Sequence, residues 1–159
     1  MIIEIRPEDA ASHALPAIGF RIDAGDAPLE PVPFALPGCY LFMTGEAGGH
    51  QMFRVDVAQE AEGTAAEVER ALERASVAKT YEIVDRRVLW IAGASRAAIA
   101  YTETSDTFFR ARCATLVGTA AGTLLIVFGT GGMRPFPVTC ERIAQSPTLR
   151  PLIDSFTIL

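Results

Sequence analysis

The stretch FFRARCATLVGTAAGTLLIVFGTGG, residues 108–132, decides the fold. Within it, residues 123–128 carry no charge, are rich in large or β-branched side chains and have glycine on both sides. This segment is too short for a typical globular helix, so it predicts a β-strand that is buried on both faces. Such a strand lies at the centre of a sheet that is covered above and below.

The segments on either side of this stretch alternate between strand patterns and two helical patterns. The clearest helix is predicted over residues 64–79, where apolar and charged residues separate onto two faces. Thr64, followed three residues later by Glu67, is typical of a capping box at its start. A second helix is predicted over residues 135–145. Strands are predicted at residues 2–5, 17–22, 39–43, 51–57, 80–84, 88–91, 96–102, 108–117 and 123–128, with turns at 85–87 and 93–95.

This order of elements predicts an α+β protein rather than an alternating βαβ fold. We expect an α/β/α sandwich around a mostly antiparallel central sheet of about six to seven strands. The 159 residues suit one domain, 1–159, because domains are typically about 100–150 residues long.

Composition argues against several classes of function. A net charge of −5 with no long basic cluster disfavours nucleic-acid binding. The N-terminus lacks the pattern of a signal peptide, and no apolar window is long enough to insert into a membrane. Cys39, Cys113 and Cys140 are far apart and odd in number, which is typical of free thiols. We therefore expect a cytoplasmic protein without a metal or a cofactor.

The sequence GTGG at residues 129–132 is the strongest candidate for small-molecule chemistry. It follows the buried strand and precedes a predicted helix, where the backbone amides of Gly131 and Gly132 could bind an anion beside the positive charge of Arg134. The spacing matches neither the P-loop nor the dinucleotide-binding fingerprint. Glycines that let the chain reverse tightly explain the same pattern.

No catalytic constellation emerges from the other polar residues. His13 and His50 lie in polar segments typical of surface histidines, and Ser95 lacks the flanking pattern of a nucleophile elbow. Glu103 and Asp106 are typical of a polar turn. We therefore predict no catalytic residues and no enzymatic activity.

Two features favour a binding role. The proline-rich segment 27–37 presents Leu29, Val32 and Phe34 on an extended chain that could dock against a partner. The two predicted helices are too short to cover both faces of a wide sheet. Part of a face is then left for a protein partner, a ligand or a second copy of the chain.

The C-terminal half resembles the PsbP-like fold, which photosystem accessory proteins, the Ran-binding nuclear-transport factor Mog and bacterial DcrB-like proteins share. The resemblance rests on the hairpin 108–128, on a following helix with Phe136, Cys140 and Ile143, and on the ending LIDSFTI at 152–158. It implies a non-catalytic accessory role, such as an adaptor or chaperone that shelters apolar segments of a secreted effector.

Three functions follow from these observations. The first is an accessory or binding protein with a protein partner. The second is a small hydrolase or transferase that uses the 129–132 segment as a loop. The third is a structural homo-oligomer, in its simplest form a homodimer, that buries a sheet face against its own copy.

Overall fold

The computed structural model describes residues 1–12, 15–27, 30–31, 38–46, 49–75, 80–104, 109–132 and 139–159. The strands in these ranges are β1 (Ile2–Ile5), β2 (Phe20–Asp23), β3 (Glu30–Pro31), β4 (Cys39–Glu46), β5 (Gly49–Ala58), β6 (Glu82–Ile91), β7 (Ala94–Thr104), β8 (Phe109–Thr119), β9 (Gly122–Gly132) and β10 (Thr157–Ile158). The helices are α1 (Pro7–Ser12), α2 (Ala65–Ala75), α3 (Cys140–Ala144) and α4 (Leu149–Ser155).

The main sheet has seven strands in the order β3-β4-β5-β9-β8-β7-β6, and each described pair within it is antiparallel. Strand β9 lies between β5 and β8, and residues 123–128 of it are buried. The predicted central strand and the α+β class are confirmed. A small antiparallel sheet, in the order β1-β2-β10, joins the two ends of the chain.

Each face of the main sheet has its own core. On one face, α2 packs Val68, Ala71 and Leu72 against apolar side chains of the central strands. On the opposite face lie α3, α4 and the small sheet, where Phe156 contacts Phe20 and Phe53 at ring-centroid distances of 5.5 and 6.1 Å. The main sheet therefore lies between α2 on one side and α3, α4 and the small sheet on the other, as the predicted sandwich requires.

Helix α2 begins with the predicted capping box. The Thr64 backbone N–H donates to Glu67 Oε2 at 2.8 Å, and the Ala66 N–H donates to Thr64 Oγ1 at 3.3 Å. These bonds satisfy amide groups that a helix start leaves without an intrahelical partner.

Strand β6 differs from the prediction. Residues 85–87 were expected to form a turn between two strands, but β6 is continuous, and its register shifts between Ile83 and Asp85. The charged residues are accommodated because β6 is the last strand of the sheet, where side chains reach water. Arg87 Nε also donates to Asp85 Oδ1 at 3.1 Å along the strand.

The predicted C-terminal helix is present with shifted limits. Helix α3 covers part of the predicted 135–145 helix, and residues 135–138 of that prediction lie outside the described residues. Helix α4 then leads into β10, which pairs with β2. No helix in the described ranges is long and apolar enough to cross a membrane.

Candidate functional site

The glycine-rich segment 129–132 belongs to strand β9, and the prediction of a loop there is wrong. Gly129 is paired with Met52 of β5 and Arg112 of β8, and Gly131 is paired with His50 and Arg110. The strand continues because neighbours on both sides extend as far as it does. Its backbone groups therefore take part in the sheet and do not form an amide cradle for an anion.

The glycines instead leave room for two arginine side chains. A Cβ atom at position 129 would lie 2.2 Å from the Ala111 carbonyl oxygen and 2.9 Å from Arg112 Cγ. A Cβ atom at position 131 would lie 3.4 Å from Arg110 Cγ. Without side chains at these positions, the stems of both arginines lie next to the bare backbone of β9.

These arginines line a cavity of about 200 Å³, on the sheet face that α2 covers. We call it the arginine cavity. Leu125 and Val127 of β9 and Leu72 and Ala75 of α2 form its apolar part. Its polar lining among the described residues comes from β5, β7 and β8: Arg54, Asp56, Tyr101, Glu103, Arg110 and Arg112.

Arg54 and Asp56 form one ion pair of the cavity. They are two residues apart on β5, so their side chains share a face of the sheet. Arg54 Nε donates to Asp56 Oδ2 at 2.6 Å, and Nη2 donates to Oδ1 at 2.9 Å, an arrangement that is strong because it is bidentate. Nη2 also donates to the Ala75 carbonyl oxygen at 3.4 Å, where the end of α2 carries a partial negative charge.

Glu103 lies between the other two arginines. Arg112 Nη1 donates to Glu103 Oε1 at 3.3 Å, and Arg110 Nη1 is 3.7 Å from Oε2. The Glu103 side chain is only 4% exposed and that of Arg112 18%, so this carboxylate depends on the arginines rather than on water. Its place inside β7 corrects the expectation that Glu103 belongs to a turn; Asp106 lies outside the described residues.

Two neutral groups complete the polar surroundings. Burial raises the pKa of the Tyr101 phenol to about 12, although the Arg112 guanidinium acts in the opposite direction. Burial, reinforced by the Asp56 carboxylate, raises the pKa of the Cys39 thiol to about 11. Both groups are therefore protonated at neutral pH, and Cys39 lacks the thiolate that a reactive cysteine needs.

We expect the tyrosines of the native protein to ionise late in an alkaline titration. Tyr101 and Tyr81 have pKa values of about 12, and the pKa of Tyr40 is also raised by burial, so each of the three tyrosines is affected. At about pH 10, where an unperturbed tyrosine is half ionised, the phenolate absorbance should be well below half of its final value.

The free energy of unfolding should then fall as the pH rises from about 10 to about 12. Tyr101 ionises near pH 10 in the unfolded chain but only at about 12 in the folded one, so the unfolded state releases its proton first. Urea unfolding at several pH values measures how steeply the free energy of unfolding falls with pH. The Tyr101→Phe variant should show a smaller fall. Half-ionised tyrosines in the native protein at about pH 10 would contradict the prediction.

The structure places only part of the predicted binding set. Gly131 and Gly132 lie in β9, and Gly132 is paired with Phe109. The other predicted binding residues lie outside the described residues: Leu29, Val32, Phe34 and Arg134. His13 also lies outside them, whereas His50 is an exposed residue near the start of β5.

Sequence reasoning missed the arginines and Glu103. The signal was the alternation of charged residues in RVD (54–56) and RAR (110–112), which places two charges on one face of a strand. The pairing of β5, β9, β8 and β7 brings these two pairs of charged residues to the same side of the sheet. It also places Glu103 between Arg110 and Arg112. Among the described residues, no group of three His, Cys, Asp or Glu could hold a metal ion.

No protein-family model matches the chain, and comparison with curated proteins gives no match. Among solved structures, the fold is similar to that of LpqN of Mycobacterium tuberculosis, which is described as involved in cell envelope biogenesis. The TM-score is 0.54 at 8% sequence identity, and the match covers 99% of this chain and 90% of the LpqN chain. At this identity the likeness shows a shared fold along nearly the whole chain.

Proposed function

We propose that this protein is a non-catalytic binding protein whose arginine cavity binds one oxyanion of its ligand, a phosphate or a carboxylate. The observation that supports this proposal is the charge of the cavity lining. Among the described residues that line the cavity, three carry a guanidinium group and two, Asp56 and Glu103, carry a carboxylate.

The three arginines of the cavity differ in the partners that the described residues give them. Arg54 is engaged by Asp56 and by the C-terminal end of α2, whereas Arg112, a largely buried side chain, contacts the carboxylate of Glu103, which Arg110 also contacts. Charge that is held partly away from water is costly unless it is compensated. An oxyanion beside Arg112 adds negative charge next to its largely buried guanidinium and accepts charge-assisted hydrogen bonds.

A binding role without catalysis suits the protonation states of the site. Tyr101 and Cys39 act as nucleophiles most readily when ionised, and both are neutral at pH 7 because burial raises their pKa values. The hydrolase or transferase alternative required a loop at residues 129–132, and this segment is a paired strand. The alternative therefore gains no support from the geometry.

An accessory role is the wider context that we propose for this site. The PsbP-like resemblance, a cytoplasmic location and an adaptor role toward a secreted effector or another protein partner remain predictions. The involvement of LpqN, a protein of similar fold, in cell envelope biogenesis is compatible with an accessory role. In an adaptor, the oxyanion would be an acidic group of the partner protein.

The test is a titration of the full chain with inorganic phosphate and, separately, with acetate at constant ionic strength. We expect saturable shifts of the Gly129 and Gly131 amide resonances, because both residues lie beside the two arginines. Arg112→Met should weaken binding by about 30-fold, since it removes a charged hydrogen-bond donor. The anion that binds more tightly distinguishes a phosphate ligand from a carboxylate.

Arg150→Met is the matched control, because Arg150 forms an exposed ion pair with Asp154 on α4, on the opposite face of the main sheet from the cavity. It should bind as the wild type does. Arg110→Gln, which alters the more exposed of the two arginines, provides a second variant should Arg112→Met fail to fold. Absence of saturation with both anions, or equal binding by all variants, would overturn the proposal.

A further inference from the structure

The outer edge of strand β6 has the properties of an interaction surface. Strand β6 ends the order of the main sheet, and no strand among the described residues pairs with its outer edge. Val84, Val88 and Trp90 on this strand are half of the exposed large apolar side chains in the described ranges, with Val88 69% and Trp90 65% exposed. An unpaired edge with exposed apolar side chains favours strand addition.

The exposed residues form one row along β6. Arg86, Val88 and Trp90 are paired with Ile99, Ala97 and Ser95 of β7 and therefore point to the α2 side of the sheet. Leu89, which lies between Val88 and Trp90, and Ile91, which follows Trp90, point to the opposite side and are buried. The row presents a cation, an aliphatic group and an aromatic ring at alternate positions.

We propose that β6 pairs with β6 of a second copy of this chain, antiparallel and centred on Val88. The irregularity between Ile83 and Asp85 leaves a regular segment from Asp85 to Ile91, and Val88 is its midpoint. A twofold axis at this position therefore uses the whole regular length of the strand. It places Val88 opposite Val88 of the second copy.

This register also makes the row complementary to itself. Arg86 lies opposite Trp90 of the second copy, and Trp90 lies opposite its Arg86, so two cation–π contacts flank the apolar centre. A twofold axis at Arg86 or Arg87 would instead place like charges directly opposite each other, which destabilises a strand pair. An axis at Leu89 would shorten the paired segment, because β6 ends at Ile91.

Sedimentation of the full chain, combined with the fluorescence of its single tryptophan, tests this proposal. We expect a dimer that dissociates on dilution, with Trp90 emission moving to longer wavelength as the indole returns to water. Val88→Lys should raise the dissociation constant by about 100-fold, because two lysines would face each other at the axis. Val84→Lys, at an exposed position outside the paired segment, should leave the dimer intact.

Cysteine substitutions test the register directly. Val88→Cys should form a disulfide between two copies under mild oxidation, because residues opposite each other in an antiparallel pair are close enough for the bond. Trp90→Cys should not, since its opposite residue is Arg86. A monomeric wild type, a dimer insensitive to Val88→Lys, or efficient cross-linking only of Trp90→Cys would each overturn the proposal.

Discussion

Gly129→Ala is expected to lower the free energy of unfolding by about 3 kcal/mol, because the new methyl group overpacks a central strand. The added Cβ atom would lie 2.2 Å from the Ala111 carbonyl oxygen and 2.8 Å from Arg112 Cα. Both are backbone atoms of the neighbouring strand β8, which cannot turn aside as a flexible side chain can. Strand β9 or β8 must therefore move, and β9 is held by partners on both sides.

Gly131→Ala is the matched control, on the same face of the same strand. Its Cβ atom would lie 3.4 Å from Arg110 Cγ, 3.7 Å from the Phe109 carbonyl oxygen and 4.0 Å from the His50 carbonyl oxygen, all ordinary van der Waals contacts. We expect a change of at most about 0.5 kcal/mol. Urea unfolding of both variants measures the difference, and equal stabilities would show that the close approach of β8 to Gly129 is not as the structure describes it.

Glu103→Gln is expected to lower the free energy of unfolding by about 3 kcal/mol, as removal of one member of a buried ion pair does. The substitution keeps the shape of the side chain but leaves Arg110 and Arg112 without the carboxylate that they share. The positive charge of the arginine cavity then increases by one. Phosphate or acetate should therefore bind the variant more tightly than the wild type and restore part of its stability.

Asp154→Asn provides the control for this prediction, because Asp154 forms an ion pair with Arg150 in which both side chains are exposed to solvent. Exposed pairs contribute little, so we expect a change of at most about 0.5 kcal/mol. Thermal or urea unfolding with and without phosphate makes the comparison. A Glu103→Gln protein as stable as the wild type, or one that binds the anions more weakly, would contradict the charge argument for the cavity.

Much of the fold was predictable because its signals are local. The uncharged run 123–128 between glycines identified the buried central strand, and Thr64 with Glu67 identified the start of α2. The prediction of a turn at residues 85–87 was wrong because consecutive charged residues are typical of a turn. They are also accommodated in a strand that lies at the edge of a sheet, and the sequence does not show which strand lies there. The loop expected at 129–132 failed for a related reason, since glycine marks both a chain reversal and a close approach between neighbouring strands.

The sequence by itself determined the α+β class, the central position of residues 123–128 and the alternation that places Arg110 with Arg112, and Arg54 with Asp56, on one side of a strand. These properties depend on residues that are neighbours along the chain. Only the tertiary structure decided that Glu103 of β7 lies between two arginines of β8, that Gly129 leaves space for one of them, and that Trp90 is exposed on β6, the last strand in the order of the main sheet. Strand order and register join residues that are far apart in sequence, and no local pattern specifies which strands become neighbours.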